Sequence, residues 1–167
     1  MIHAEREKLR QLAELLIQHK AQLDYPRKDV RGRLDAETFH LTRSEAVERL
    51  NRGGRLMFDC SGAITCLYKW CGISDPNGLG FSHEGYTGTM LAHLPHYTDG
   101  RKARTGALVV FGPGTGEHVA MVIRPDPKGG DPLLFSHGFE LGSGPILLSQ
   151  ERHAHHRPVS FLNVSGL

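Results

Sequence analysis

Between Cys60 and Cys71 the chain places apolar residues around almost the whole of a helical wheel, and no other stretch limits the fold as much. Cys60, Ala63, Ile64, Cys66, Leu67, Tyr68, Trp70 and Cys71 leave only Ser61, Gly62, Thr65 and Lys69 as a polar stripe. A helix apolar on so many sides must be covered by the rest of the molecule, so it is a buried central helix. Gly72 stands where a helix C-terminus takes a left-handed residue, and Asp59 stands where a side chain accepts the first free amides. With 167 residues, of which 39% are hydrophobic, the chain can cover such a helix within one domain spanning 1–167.

The elements that do the covering change type along the chain. Residues 5–23 read as an amphipathic helix with Leu9, Leu12, Leu16 and Leu23 on one face, ended by Tyr25-Pro26. Residues 26–41 are charged and irregular and read as a surface loop. Thr42-Arg43-Ser44-Glu45 is a capping box that opens a helix through Leu50, stopped by Gly53-Gly54. Beyond the central helix, residues 74–89 are rich in turn formers, and a short helix spans Thr89 to His93. From there the period shortens to two. Runs at 107–111, 118–123, 133–136, 146–148 and 159–164 read as strands separated by glycine- and proline-rich turns. Helices first and strands afterwards give an α+β fold, with an antiparallel sheet packed against the helix that starts at Cys60. Residues 1–57 supply N-terminal helices and a loop, and 58–167 form the core.

Phe58-Asp59-Cys60-Ser61-Gly62 puts a cysteine in the first turn of this helix. Free amides there favour thiolate over thiol, by about 0.3–1 kcal/mol, too little to activate a nucleophile without a base. A cysteine in this position also serves as a small core hydrophobe, and position alone does not separate the two. His118 opens the apolar strand Val119-Ala120-Met121-Val122-Ile123 and offers a base on a rigid element; His137 ends the next strand and could orient the His118 ring. Cys66 and Cys71, deeper in the helix, read as core residues, and three cysteines without framework spacing read as free thiols.

Other chemistries find less support. His83, His93 and His96 lie in loop or short-helix contexts and read as solvent-facing. His153-Ala154-His155-His156 lacks a cysteine or carboxylate partner at matching spacing, so no metal and no cofactor are expected. Gly112-Pro113-Gly114-Thr115-Gly116 lacks the Lys-Ser/Thr of a phosphate loop and opens a strand instead of a helix. A formal charge of +2, scattered instead of massed, argues against a nucleic-acid partner and remains compatible with an anionic polymer. No apolar run reaches the length of a membrane span, and the N-terminus lacks the basic-then-apolar layout of a secretory signal, so the expectation is a protein made in the cytoplasm.

Taken together, Asp59-Cys60-Ser61-Gly62, Gly106-Ala107-Leu108-Val109-Val110-Phe111, His118-Val119-Ala120 and Ser136-His137-Gly138 resemble, in order and spacing, the NlpC-type cell-wall peptidases, bacterial and phage relatives of papain. The stretch from Asp75-Pro76-Asn77-Gly78 to Gly85-Tyr86-Thr87-Gly88-Thr89 is similar to a subgroup from actinobacteria and their phages. The resemblance covers residues 58–138. It implies a papain-like fold, Cys60 as nucleophile, His118 as base and His137 as orienting residue. It also implies Tyr25 as a residue lining the substrate cleft, with Asp59 and Ser61 as substrate-side neighbours of the nucleophile. Two positions depart from the pattern: the family's Tyr-x-Trp-Gly-Gly is here Tyr25-Pro26-Arg27-Lys28-Asp29, and its Gly-Asp-Leu aspartate is Ala107. The activity implied is cleavage of an amide in peptidoglycan stem peptides, between D-γ-glutamate and the diamino acid, by a monomer acting after holin-type release, as a phage endolysin does, or after dedicated export. The rival readings are a CHAP-like N-acetylmuramoyl-L-alanine amidase and a wall-binding module without catalysis.

Overall fold

The computed structural model describes residues 2–26, 34–138, 142–149, 157–164 and 167. The chain begins with helix α1 (Ile2–Gln18), a 3-10 turn (Lys20–Gln22) and a short strand β1 (Leu23–Asp24), followed by α2 (Leu34–His40), α3 (Arg43–Asn51) and β2 (Leu56–Met57). Next come the central helix α4 (Cys60–Cys71), α5 (Thr87–His93), β3 (His96–Tyr97) and a second 3-10 turn (Gly100–Lys102). The C-terminal part supplies β4 (Leu108–Phe111), β5 (His118–Arg124), β6 (Leu133–Gly138), β7 (Gly142–Leu147) and β8 (Val159–Leu162). Among the described residues this is an α+β fold of five helices and a six-stranded antiparallel sheet in the order β3-β8-β4-β5-β6-β7, with β1 and β2 forming a separate parallel pair.

Side chains alternate across a strand, so each sheet strand feeds two apolar layers. Leu108, Val110, Val119, Met121, Ile123, Phe135 and Leu162 join the core built on α4 and on Leu9, Leu12 and Leu16 of α1. Val109, Phe111, Ala120, Val122, Leu134 and Phe161 form a second cluster on the far side of the sheet. The sheet is therefore covered on both faces, which explains why β5 reads as an unbroken apolar run.

The central helix is held at both ends as its flanking residues predict. Asp59 accepts the Gly62 amide at 2.7 Å, and Gly72 adopts the left-handed conformation (φ 69°, ψ 28°) that closes the last turn. Its polar atoms near the C-terminus find partners: Lys69 Nζ donates to the Phe39 carbonyl at 2.6 Å and lies over the Phe39 ring, and Trp70 Nε1 donates to the Leu41 carbonyl at 2.9 Å. The Thr42–Glu45 capping box forms in full. Among the described residues no helix is long and apolar enough to cross a membrane.

Five readings of the sequence need correction. The first helix stops at Gln18, before Tyr25-Pro26, because Gln22 turns in to donate to the Leu50 and Gly54 carbonyls, both at 2.8 Å, and the following residues pair with Leu56 and Met57. Part of the expected loop at 26–41 is helical: α2 buries Thr38 and Phe39, and Thr38 Oγ1 accepts the Met57 amide at 3.0 Å. Two adjacent buried residues in a charged stretch give no readable period. His96 lies on a short strand, β3, paired with Leu162. The short helix starts at Thr87, and β7 starts earlier than residue 146. The histidine cluster at 153–156 lies outside the described residues.

Candidate active site

Cys60 occupies the first position of α4 and is 6% exposed. The Asp59 cap takes the amides of Gly62, through its carboxylate, and of Ala63, through its carbonyl, and not those of Cys60 and Ser61. Those two are among the amides that a helix start leaves without helical partners. The Tyr25 hydroxyl stands 4.0 Å from Cys60 Sγ. It reaches there because β1 runs parallel to β2 and the Phe58 amide donates to the Asp24 carbonyl at 3.2 Å, which lays Tyr25 beside the start of α4.

His137 stands in the same corner. Its Nε2 donates to the Phe58 carbonyl at 3.0 Å and the Asp24 carbonyl at 3.2 Å, which places the proton on Nε2, since carbonyls only accept. The Phe58 ring meets it edge-on at 5.2 Å and the Tyr25 ring lies 5.5 Å away. Burial pushes its pKa down, the two carbonyls pull it back up, and nearby His118 pushes it down again; the balance leaves it below the ordinary histidine value. His137 is therefore neutral at neutral pH.

His118 opens β5 and is 2% exposed. Its ring stacks on Phe111 at 5.9 Å, and its Nε2 lies 2.8 Å from Ser136 Oγ. The register explains this contact. Ala120 faces Ser136, so Ser136 and Gly138 emerge on the same side of the sheet as His118, while His137 emerges with Phe135 on the side of α4. Gly138 lies against the imidazole: a Cβ there would be in ordinary van der Waals contact, 3.4 Å from His118 Cε1. Ser136 was quoted in the sequence motif without a role; only the strand register, which includes an irregularity between Val122 and Arg124, could have assigned one.

Asp59 and Ser61 serve the local architecture. Ser61 is 3% exposed, and its hydroxyl lies 2.9 Å from Asp59 Oδ1 and 3.1 Å from the Gly85 carbonyl. That second contact joins the start of α4 to the segment 75–89, which a buried polar network holds in place. Asp75 Oδ1 accepts the amide and side-chain nitrogen of Asn77, and its Oδ2 accepts the amides of Leu79 and Phe81, all at 2.9–3.0 Å. Burial raises the Asp75 pKa, but the Phe81, Asn77 and Leu79 amides and the Asn77 side chain outweigh it, so the carboxyl titrates below its usual range. Asn77 continues the network to Thr65 Oγ1 at 3.1 Å, Thr89 Oγ1 at 2.7 Å and the Tyr86 amide at 3.1 Å. Asp75 and Asn77 were legible only as turn formers.

The remaining candidates are placed elsewhere. His83 Nδ1 accepts the Gly85 amide at 3.2 Å, and the His93 ring packs against Gly78. Cys66 and Cys71 are buried in α4, and all three cysteines are free thiols. Burial pushes the Cys71 thiol up to about 11. Among the described residues no group of three or more His, Cys, Asp and Glu side chains could hold a metal ion. Comparison of the chain with protein-family models, with curated proteins and with solved structures finds no match.

Proposed function

We propose that the protein is a cysteine peptidase of papain-like, NlpC-type architecture that hydrolyses an amide in peptidoglycan stem peptides. The observation that carries this reading is Cys60 in the first turn of a capped, buried helix, with the Tyr25 hydroxyl on its sulfur and buried histidines on the strands packed against that helix. Such a helix start supplies both a nucleophile and amides for a developing oxyanion. The order Cys60, His118, His137 and the motif resemblance select the family.

In the proposed reaction His118 Nε2–H donates to Ser136 Oγ, which leaves the Nδ1 lone pair as base. The motif order assigns the Cys60 proton to His118 as Sγ attacks the amide carbonyl; since the strand register puts the His118 ring on the face of the sheet opposite α4, the proton has to pass around the start of β5 to reach it. The oxyanion forms against the first amides of α4, the tetrahedral intermediate collapses to a thioester, and imidazolium protonates the leaving amine. Water, deprotonated by the same ring, then attacks the thioester; carboxylate leaves and the Cys60 thiol is restored. The orienting part expected of His137 passes to Ser136 in this scheme. His137 instead fastens Asp24 and Phe58, and with them Tyr25, against the start of α4.

The bond proposed is that between D-γ-glutamate and the diamino acid. The α-carboxylate left exposed by a γ-linkage suits the positive end of a helix. Digestion of purified cell walls, followed by mass spectrometry of the released fragments, tests this. A new amino group on the diamino acid supports it. New amino-terminal alanine would establish an amidase, and wall binding without release a binding module. Cys60→Ala should abolish release.

A further inference from the structure

Tyr86 is 49% exposed, a large aromatic side chain facing solvent on a segment whose backbone is fixed. Its amide donates to Asn77 Oδ1 at 3.1 Å, and its carbonyl accepts Thr89 Oγ1 at 2.7 Å and the Met90 amide at 3.2 Å. The preceding Gly85 has φ +106°, and a Cβ there would fall 2.1 Å from Thr65 Oγ1, so the chain enters Tyr86 pressed against α4. The ring lies over Gly88, where a Cβ would come within 2.5 Å of Tyr86 Cε1 and 3.1 Å of Thr115 Cβ. Thr115 belongs to the turn that leads into His118.

The neighbours of this ring define its location. On one side Gly85 is bonded to Ser61, the residue after Cys60; on the other Thr87 Oγ1 lies 3.4 Å from the Gly116 carbonyl, two residues before His118. The exposed ring thus stands between the start of α4 and the start of β5, the two places that present Cys60 and His118. Nothing in the fold requires an aromatic there, since the packing beneath it is supplied by Gly85, Asn77 and Gly88. An aromatic face on a rigid backbone gives up little freedom when it is covered, which suits it to hold a ligand in register.

We propose that Tyr86 is a substrate-positioning residue: its ring covers an aliphatic C–H face of the wall fragment whose amide Cys60 attacks. The inference rests on the hydrolase reading above. Two parts of a wall fragment offer such a face, the pyranose rings of the glycan and the aliphatic side chains of the stem peptide, and two substrates separate them. The rates of wild type, Tyr86→Phe, Tyr86→Gln and Tyr86→Ala should be measured on glycan-linked stem peptides and on free stem peptides. The expected result is a KM about tenfold higher for Ala and Gln, with kcat within about twofold and Phe close to wild type. A rise on both substrates assigns the contact to the peptide; a rise on the glycan-linked substrate alone assigns it to the sugar. An unchanged KM on both, or a loss confined to kcat, overturns the proposal. Co-sedimentation of Cys60→Ser and of Cys60→Ser/Tyr86→Ala with purified peptidoglycan separates it from the fate of the hydrolase reading. Weaker sedimentation of the double variant sustains the contact even for a protein that cuts nothing, and equal sedimentation refutes it.

Discussion

Replacing Asp75 with asparagine keeps the shape of the side chain and removes half of its hydrogen bonding. The carboxylate accepts four N–H groups, two on each oxygen. Asparagine has one carbonyl oxygen, so two donors must face an NH2 group. The Asn77 pair is buried and the Leu79 and Phe81 pair partly exposed, so the amide nitrogen turns toward the latter, where water can replace part of what is lost. Bonds to a charged acceptor contribute about 1.5–3 kcal/mol each, and partial hydration brings the expected loss to about 2–3 kcal/mol in all. That is a large share of a total stability of about 5–15 kcal/mol. Urea unfolding of wild type and Asp75→Asn measures it. The pH dependence gives a second reading of the same network. The folded carboxyl titrates below the unfolded value of about 3.9, so its stabilisation is present above that pH and is lost as pH falls through the folded pKa. Asp75→Asn lacks this acid-labile part, and the gap between the two proteins should narrow below about pH 4. A difference under about 0.5 kcal/mol at pH 7, or a gap that widens in acid, would refute the reasoning.

Other perturbations address the site directly. Ser136→Ala should lower kcat about 10–100-fold with little change in KM and shift the alkaline or acid limb of the pH–rate profile, because it frees the His118 ring; a loss of stability with normal kinetics would make Ser136 structural only. His137→Ala should destabilise by about 1–3 kcal/mol by removing a donor from the buried Phe58 carbonyl and one of the two donors to the Asp24 carbonyl, read by thermal melting. Iodoacetamide at neutral pH should modify Cys60 before Cys71, whose thiol is pushed up to about 11 by burial; equal rates in the folded protein would count against Cys60 as nucleophile. Gly85→Ala should cost about 2 kcal/mol or more, since both its positive φ and the contact with Thr65 exclude a side chain, and an unchanged melting temperature would contradict the described packing.

What could be read in advance follows from how local each signal is. The limits of α4 are written in Asp59 and Gly72, and the start of α3 in Thr42 and Glu45, because caps act within four residues. Strand positions were legible from Val119 through Ile123 and around Leu134, where apolar runs end at glycine and proline. The partner of His118 was not, since one step of register exchanges Ser136 for His137 and the β5–β6 pairing carries an irregularity between Val122 and Arg124. The resemblance implied Tyr25 as a residue lining the cleft, but what brings it beside Cys60 was likewise hidden. It depends on a two-residue parallel pairing of Leu23 and Asp24 with Leu56 and Met57, too short to leave a period in the sequence.

The bonds that bring His137 to the start of α4 also set when, in the life of the chain, the chemistry proposed for it could begin. His137 Nε2 and the Asp24 carbonyl are 113 positions apart, and Tyr25 and Cys60 are 35 apart. Contacts of such separation form only after intervening segments have found their places. During synthesis, Cys60 leaves the ribosome well before His118 and β6 exist, so the growing chain carries an ordinary thiol with no base beside it. Closure of β6 onto the Asp24 and Phe58 carbonyls completes the corner, so on the proposed reading a chain that stalls before it would hold the Cys60 thiol without the neighbours its reaction needs.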